Sequence, residues 1–291
     1  EIYTLSLHDA LPILITPNNN LFIGELESEN LKNPKKGILL SPNMDYFEGE
    51  FLSGKKEGKG KLIYNNGTEY IGNFKNNKPD GYGQLTQENG EIYQGEWKEG
   101  KINGHGTRFH KNGDKYIGNY VDNVRNGYGV YIFSNGNTYE GNWVNEKQGG
   151  IGIEKWEDGS LYQGEFVNGE KCGTGIYFFP DGNIYLGEWR QNKMNGYGIY
   201  TYDKKNKLYM GEWLNGARNG YGEVYSNHDH NYFFGFFRNN LQNGFFMLYN
   251  IKSKKIIVGF YTNGKVDEIV KYFRRREEGK RSEEHTSELQ S

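Results

Sequence analysis

Tyr93-Gln94-Gly95-Glu96-Trp97, followed by Gly104-His105-Gly106 and then by Asn112-Gly113, is the stretch whose reading decides the fold. In a strand, successive side chains point to opposite faces, so Tyr93, Gly95 and Trp97 share one face while Gln94 and Glu96 take the other. An aromatic ring lying over a cross-strand glycine regains the contact area that the missing side chain forfeits, which explains why these residue types travel together. Asn-Gly between β-prone runs is the strongest short hairpin signal, and it predicts a tight turn whose two central residues both need φ > 0.

The unit repeats in both directions. Aromatic-x-Gly-x-aromatic recurs at Phe47 (FEGEF), Tyr70 (YIGNF), Tyr116 (YIGNY), Tyr139 (YEGNW), Tyr162 (YQGEF), Tyr185 (YLGEW) and Tyr209 (YMGEW), a step of about 23 to 24 residues that belongs to the solenoid class. Each copy continues into Gly-x-Gly, as at Gly81-Tyr82-Gly83 and Gly127-Tyr128-Gly129, and most close on Asn-Gly or Asp-Gly. Looser copies flank them at Phe22-Ile23-Gly24-Glu25-Leu26, Phe233-Phe234-Gly235-Phe236-Phe237 and Ile257-Val258-Gly259-Phe260-Tyr261. One hairpin is marginal in water, so neighbouring copies must stack to share their aromatic faces. The expected fold is all-β: an elongated, solenoid-like ribbon of stacked antiparallel β-hairpins over residues 14–265, with clear copies over 46–231. Beyond it, Val266, Ile269, Val270 and Phe273 fall at helical spacing, which predicts a short helix over 266–280 as an end cap or a linker.

Both ends depart from this pattern. Residues 1–13 (EIYTLSLHDALPI) and 281–291 (RSEEHTSELQS) resemble in-frame translations of sequencing adapters and are set aside as foreign. Removing Arg281 with Glu1, Asp9, Glu283, Glu284 and Glu288 turns the formal net charge from −2 to +2. Either value is too small to argue for nucleic acid or for a bulk pull toward acidic membranes. Cys172 stands alone, which excludes a disulfide framework and suits a reducing compartment. No apolar run of ~20 residues offers a membrane span. Hydrophobic content of 35% beside 42 glycines and 16% aromatics suggests ring-on-glycine contacts spread along an array, in place of one thick core.

Chemistry finds no single place to settle. A phosphate-binding glycine loop needs a helix starting directly after it, and strands follow every Gly-x-Gly here. His228-Asp229-His230 has the flavour of a metal site but lacks a third partner. Glu50, Asn73, Glu96, Asn119, Asn142, Glu165, Glu188 and Glu212 recur once per copy, and a row of like positions reads as a structural ladder bonding neighbouring strands, where catalysis needs one asymmetric site. No catalytic residue, metal ligand or cofactor is expected.

Motif and spacing resemble the MORN (membrane occupation and recognition nexus) repeat, whose pattern runs Tyr-x-Gly-x-Trp, a short basic turn, Gly-x-Gly and a closing Asp-Gly; the resemblance covers nearly all of residues 21–264. It implies a non-enzymatic interaction scaffold in the cytoplasm, at the cytoskeleton or at the cytoplasmic face of a membrane, engaging a helix, a peptide or a second copy. The candidate docking residues on the aromatic face are Tyr93, Trp97, Tyr116, Tyr139, Trp143, Tyr162, Tyr185 and Trp189. Basic residues at the turns, Lys78, Lys101, Arg125, Lys147, Lys171, Lys193 and Arg218, form a candidate edge for acidic phospholipid. The resemblance also leaves open a regulatory segment of a larger enzyme, of the phosphatidylinositol-phosphate kinase or lysine methyltransferase type.

Overall fold

The computed structural model describes residues 4–5, 11–16, 18–26, 34–202 and 206–274, and every regular element among them is a β-strand. Of the ends set aside as foreign, residues 1–3, 6–10 and 281–291 lie outside the described residues. The chain divides into two compact units, Glu1–Lys147 and Gln148–Ser291. In the first, each strand pairs antiparallel with its successor, from Ile13–Ile15 on Leu21–Leu26 up to Val124–Ile132 on Thr138–Val144. The second does the same, from Lys147–Lys155 on Leu161–Val167 up to Lys255–Thr262 on Lys265–Arg274.

Within a copy, the ring of the first aromatic lies across a pair of facing glycines. Gly95 pairs with Gly106, and a methyl group placed on Gly106 would sit 2.3 Å from the Tyr93 hydroxyl, so the ring occupies the space that two side chains would need. Its hydroxyl then reaches over the strand and donates to the carbonyl three residues on: Tyr93 to Glu96 at 3.1 Å, Tyr116 to Asn119 at 3.1 Å, Tyr139 to Asn142 at 2.9 Å. In the second unit Tyr162, Tyr185 and Tyr209 do likewise to Glu165, Glu188 and Glu212. The bond satisfies a polar group that would otherwise be costly to bury.

The second aromatic ties one copy to the one before it. Trp97 donates its indole N–H to the Gly83 carbonyl at 3.3 Å, and Trp143 to that of Gly129 at 3.3 Å. Rings alternate edge to face along the first unit, Tyr70–Trp97 at 5.1 Å, Tyr93–Trp97 at 5.5 Å, Tyr93–Tyr120 at 5.4 Å and Tyr116–Trp143 at 5.4 Å. Along the second, Tyr162–Trp189, Tyr185–Trp213 and Tyr209–Phe237 repeat it. This geometry favours the ring quadrupoles and adds about 0.5–1.5 kcal/mol per pair to simple burial. Tyr120 stands where other copies carry Trp or Phe, and its hydroxyl is buried with no hydrogen-bond partner among the described residues. Where Phe246 replaces the facing glycine opposite Gly235, the Phe233 ring lies parallel to it, at 5.9 Å and 13°.

The two turns of each copy are not the ones expected. The Asn-Gly and Asp-Gly pairs carry positive φ only at glycine, as at Gly67, Gly90, Gly113 and Gly136. Gly67 donates to the Tyr64 carbonyl and the Tyr64 N–H to that of Thr68, so the loop holds one more residue than a two-residue turn. Asn66 is selected there because its side-chain oxygen accepts the N–H of Thr68 at 3.0 Å. The tight turns with both residues left-handed lie at the other end of the hairpin, at Asn76-Asn77, Glu99-Gly100, Asp122-Asn123 and Asn145-Glu146 in the first unit, and Asn168-Gly169, Gln191-Asn192 and Asn239-Asn240 in the second. Their second residue also reaches the preceding copy: Asn123 accepts the N–H of Ile102 at 2.8 Å, and Glu146 that of Arg125 at 2.7 Å. Pro79 has no N–H to satisfy, and Gly100 stands at that place in the next turn.

A bulge follows each tight turn, with Gly104 at φ 100° and the register shifting between Ile102 and Gly106. In the second unit Glu165, Glu188 and Glu212 accept the N–H groups of Thr174, Tyr197 and Tyr221 at 2.9–3.0 Å, a ladder of the kind the recurring Glu/Asn row implied.

Where a helix was expected over 266–280, the described part, 266–274, is a strand instead. Lys265–Arg274 pairs antiparallel with Lys255–Thr262 through two register shifts; residues 275–280 lie outside the described residues. The helical spacing was outweighed by a ready hydrogen-bonding edge beside a segment rich in Val, Ile, Tyr and Phe, which favour a pleated surface. The copy whose sequence has Asp203-Lys204-Lys205-Asn206 in place of a closing Asp-Gly keeps the common register, Tyr202 facing Lys207 and Gly196 facing Trp213.

A Cβ on Gly95 would lie 2.5 Å from the Gly106 Cα and 2.6 Å from the His105 carbonyl oxygen, so Gly95→Ala should destabilise by about 3 kcal/mol, the upper end of overpacking costs, read as a drop in melting temperature. Gly90→Asn, at φ 88° with nothing within 4 Å of the new atom, should leave it nearly unchanged. Burial raises the phenol pKa of Tyr116 from 10.0 to about 12 and also raises those of Tyr70, Tyr93, Tyr162, Tyr185 and Tyr209. The folded chain therefore keeps protons that the unfolded chain loses, so this stability is complete below about pH 10 and is lost as pH rises through the folded values. An alkaline titration should show the final part of the tyrosinate absorbance, that of the buried rings, rising together with loss of β circular dichroism in one steep step.

Candidate interaction site

Tyr93, Trp97, Tyr116, Tyr139 and Trp143 in the first unit, and Tyr162, Tyr185 and Trp189 in the second, are all buried, none more than 8% exposed. The structure places these candidate docking residues in the packed ring ladder, covered by their own neighbours. Two of them line a cavity: Tyr93 and Trp97 bound a space of about 280 Å³ with Leu85, Ile102 and the Arg108–Glu91 ion pair, which closes at 2.9 Å.

The basic row divides in two. Lys78, Lys101, Lys147 and Lys193 are the first residues after their tight turns and are exposed. Acidic residues interleave with them: Lys101 pairs with Asp122 at 3.4 Å, both side chains more than half exposed, and Glu99, Asp122 and Glu146 sit in the turns themselves. A surface pair of this kind contributes little, and the edge has no single sign of charge. Arg125, Lys171 and Arg218 fall one residue later than those lysines, so alternation turns them onto the aromatic side.

There they cover rings. The Arg125 guanidinium lies 4.4 Å from the Trp143 ring centre, 5.2 Å from Tyr131 and 5.5 Å from Tyr116, while its Nε donates to Glu146 at 2.6 Å. Arg218 lies over Phe237 and Tyr209 at 5.0 and 5.6 Å. Lys171 lies over Trp156 and Tyr162, with its ammonium 2.5 Å from Glu154. Partly desolvated cation–aromatic contacts of this sort contribute up to about 2 kcal/mol each. Beside Arg125, Asp114 accepts from Tyr131 at 2.7 Å and from the Ser134 N–H at 2.8 Å. Burial opposes its charge, yet these bonds prevail and hold its carboxyl below the ordinary range; burial and the same bond push Tyr131 up to about 12.

Lys56 holds the same second position and lies over Phe47 at 4.8 Å; the remaining copies carry no cation there. Pro79 stands there in the first unit, and a cavity of about 330 Å³ opens among Tyr64, Tyr70, Pro79, Leu85 and Trp97. Gln242 stands there in the second, beside a cavity of about 370 Å³ with Phe233, Phe237 and Leu248.

The exposed apolar surface belongs to the opposite side of the sheet, carried by the middle residue of Gly-x-Gly. Tyr82 and Tyr128 are 63% and 51% exposed in the first unit; in the second, Ile151, Tyr197, Tyr221 and Phe245 are exposed as well. Phe236 meets Tyr221 edge to face at 5.9 Å, and Phe260 meets Phe245 at 5.7 Å. The sequence reading missed this row. Its signal was the recurrence of Gly-Tyr-Gly at Tyr82, Tyr128, Tyr197 and Tyr221, one residue out of phase with the ladder.

Cys172 is half-buried in the strand Glu170–Phe178, with its thiol pKa pushed up by burial and by Glu165. His228 meets Asp229 at 3.0 Å, and among the described residues no three His, Cys, Asp or Glu side chains come together to hold a metal.

Against solved structures the chain is similar to the TCP domain of Drosophila melanogaster SAS-4 in complex with a proline-rich motif of Ana2, at 15% identity and TM-score 0.34 over 65% of this chain and 90% of that one. The TCP10c domain of Drosophila melanogaster Sas-4 aligns at 16% identity and TM-score 0.27, over 65% and 100%. An inactive virginiamycin B lyase from Staphylococcus aureus with quinupristin aligns at 12% identity and TM-score 0.15, over 92% and 88%. No curated protein sequence matches significantly. The MORN repeat matches eight consecutive segments, residues 47–69, 70–92, 93–115, 116–138, 139–161, 162–184, 185–207 and 209–229. With more than half of its length made of that unit, the chain belongs to the MORN-repeat family.

Proposed function

We propose that this MORN array is a non-enzymatic protein-docking module that meets its partner on the face opposite the ring ladder. The observation that carries this reading is the row of exposed aromatics in the second unit, Tyr197, Tyr221, Phe236, Phe245 and Phe260. Contiguous apolar surface of this kind is uncommon on a monomer without a partner, and aromatic residues are enriched at the centres of protein interfaces. Tyrosine suits the task because its ring supplies area at low entropic cost while its hydroxyl stays wet. The ring ladder acts behind this surface as the rigid support, with Tyr185, Trp189 and their equivalents holding the strands in register. The interleaved charges of the turn edge favour a protein partner over an acidic bilayer. Resemblance to the family supports a cytoplasmic site of action at the cytoskeleton or the cytoplasmic face of a membrane.

Affinity capture with the intact chain as bait, after crosslinking in cells, tests the proposal. The triple variant Tyr197→Ser, Tyr221→Ser, Phe245→Ser changes only exposed positions and should keep the melting temperature while binding the recovered partner at least about tenfold more weakly, equivalent to ~1.4 kcal/mol. Equal recovery by the variant, or recovery of nothing above an unrelated bait, would show the proposal to be wrong. Co-sedimentation with liposomes containing phosphatidylserine should be weak and unchanged when Lys78, Lys101, Lys147 and Lys193 are replaced by Glu; strong binding lost in that variant would favour a membrane instead.

A further inference from the structure

The chain itself shows what fits over its first aromatic. Tyr116 pairs with Tyr131 and Tyr120 with Arg125; two copies earlier, Tyr70 pairs with Leu85 and Phe74 with Pro79 in the same register. Tyr70, Pro79, Leu85 and Trp97 therefore stand where Tyr116, Arg125, Tyr131 and Trp143 stand. At the later copy the space is filled by a guanidinium stacked on Trp143. At the earlier one the short Pro79 ring leaves a cavity of about 330 Å³, with Tyr64 and Thr68 on its wall.

We infer that the cavity over Tyr70 and Trp97 is a receptor for an arginine side chain presented by a partner protein. It adds a contact on the ladder face to the opposite-face docking proposed above, and it rests on that docking role. The occupant is argued from the molecule's own fillings: Lys56 lies over Phe47 at 4.8 Å, Arg125 over Tyr116, Lys171 over Tyr162 and Arg218 over Tyr209, so a cation takes this place wherever the second position supplies one. Arginine fits better than lysine because a planar guanidinium stacks on a ring while donating in its own plane. Lys171 illustrates the difference, its ammonium extending to Glu154. Negative charge is at hand: Asp45 adds to burial in raising the phenol pKa of Tyr64, and Asp80 does so for Tyr70. Lys56 neighbours Asp45 but is engaged over Phe47. Gly100 stands where Glu146 accepts from Arg125, so the cavity carries no ion-pair partner of its own in the turn and remains open to a guest.

The test uses the full chain and a blocked Gly-Arg-Gly peptide, with Gly-citrulline-Gly as the uncharged isostere, following the Trp97 indole N–H resonance. The arginine peptide should shift that resonance saturably, and the citrulline peptide should bind at least tenfold more weakly. Pro79→Arg should fill the cavity from within, keep or raise the melting temperature and abolish the shift. Leu85→Arg, which copies Arg108 of the next copy, provides a second blocking variant should the first fold poorly. No shift with the arginine peptide, equal binding of the citrulline peptide, or undiminished binding by a folded blocking variant overturns the inference. A captured partner lost on the exposed-face triple variant yet retained by Pro79→Arg would leave the docking reading standing and end this one.

Discussion

A tyrosine ring laid across two facing glycines is the contact on which everything else in this protein depends. A single-layer sheet has no second layer to cover its side chains, so burial must come from within the layer. Removing two Cβ atoms creates a depression in the pleated surface, and one ring from the same strand fills it. The hydroxyl is then satisfied by the carbonyl three residues along, so a polar atom is covered without penalty. That arrangement explains how side chains such as Tyr116 and Tyr139 reach complete burial in a sheet one layer thick.

Each later feature follows from that depression. The filled ring presents an edge to the second aromatic of its own copy and to that of the next, so a packing unit within one hairpin becomes the joint between hairpins. The indole N–H of the second aromatic bonds the preceding strand pair, fixing distance and rotation together. The tight turn then adds a hydrogen bond of its own to the copy before it, where Asn or Glu stands at its second position. Because stabilisation is shared mostly between neighbours, cost and benefit are local, as in other repeat architectures.

This economy also sets where function can reside. A ring ladder buried to within a few per cent cannot meet a partner without coming apart. What remains available is the opposite face, where side chains need not pack, and the few places along the ladder where a covering cation is missing. The first recurs with the repeat and the second is a defect in it, and a repeated pattern gains specificity only where its copies differ.

Hairpins, their antiparallel succession, the ring-and-glycine contact and the copy boundaries were legible in the sequence because they rest on residues one or two strand positions apart, and Tyr-x-Gly-x-Trp with Gly-x-Gly carries that local geometry on its surface. Three matters were decided only by tertiary structure. The pair of consecutive left-handed residues lies at the opposite turn and not at Asn-Gly, because loop length, set by the pairing of both strands, determines which residues must be left-handed. Residues 265–274 became a strand because the neighbouring edge offered hydrogen bonds that spacing alone does not reveal. Arg125 parted from Lys101 because one residue of offset reverses the face in a strand, and an aromatic residue's chemistry does not tell whether its ring is the floor of a site or the surface of one.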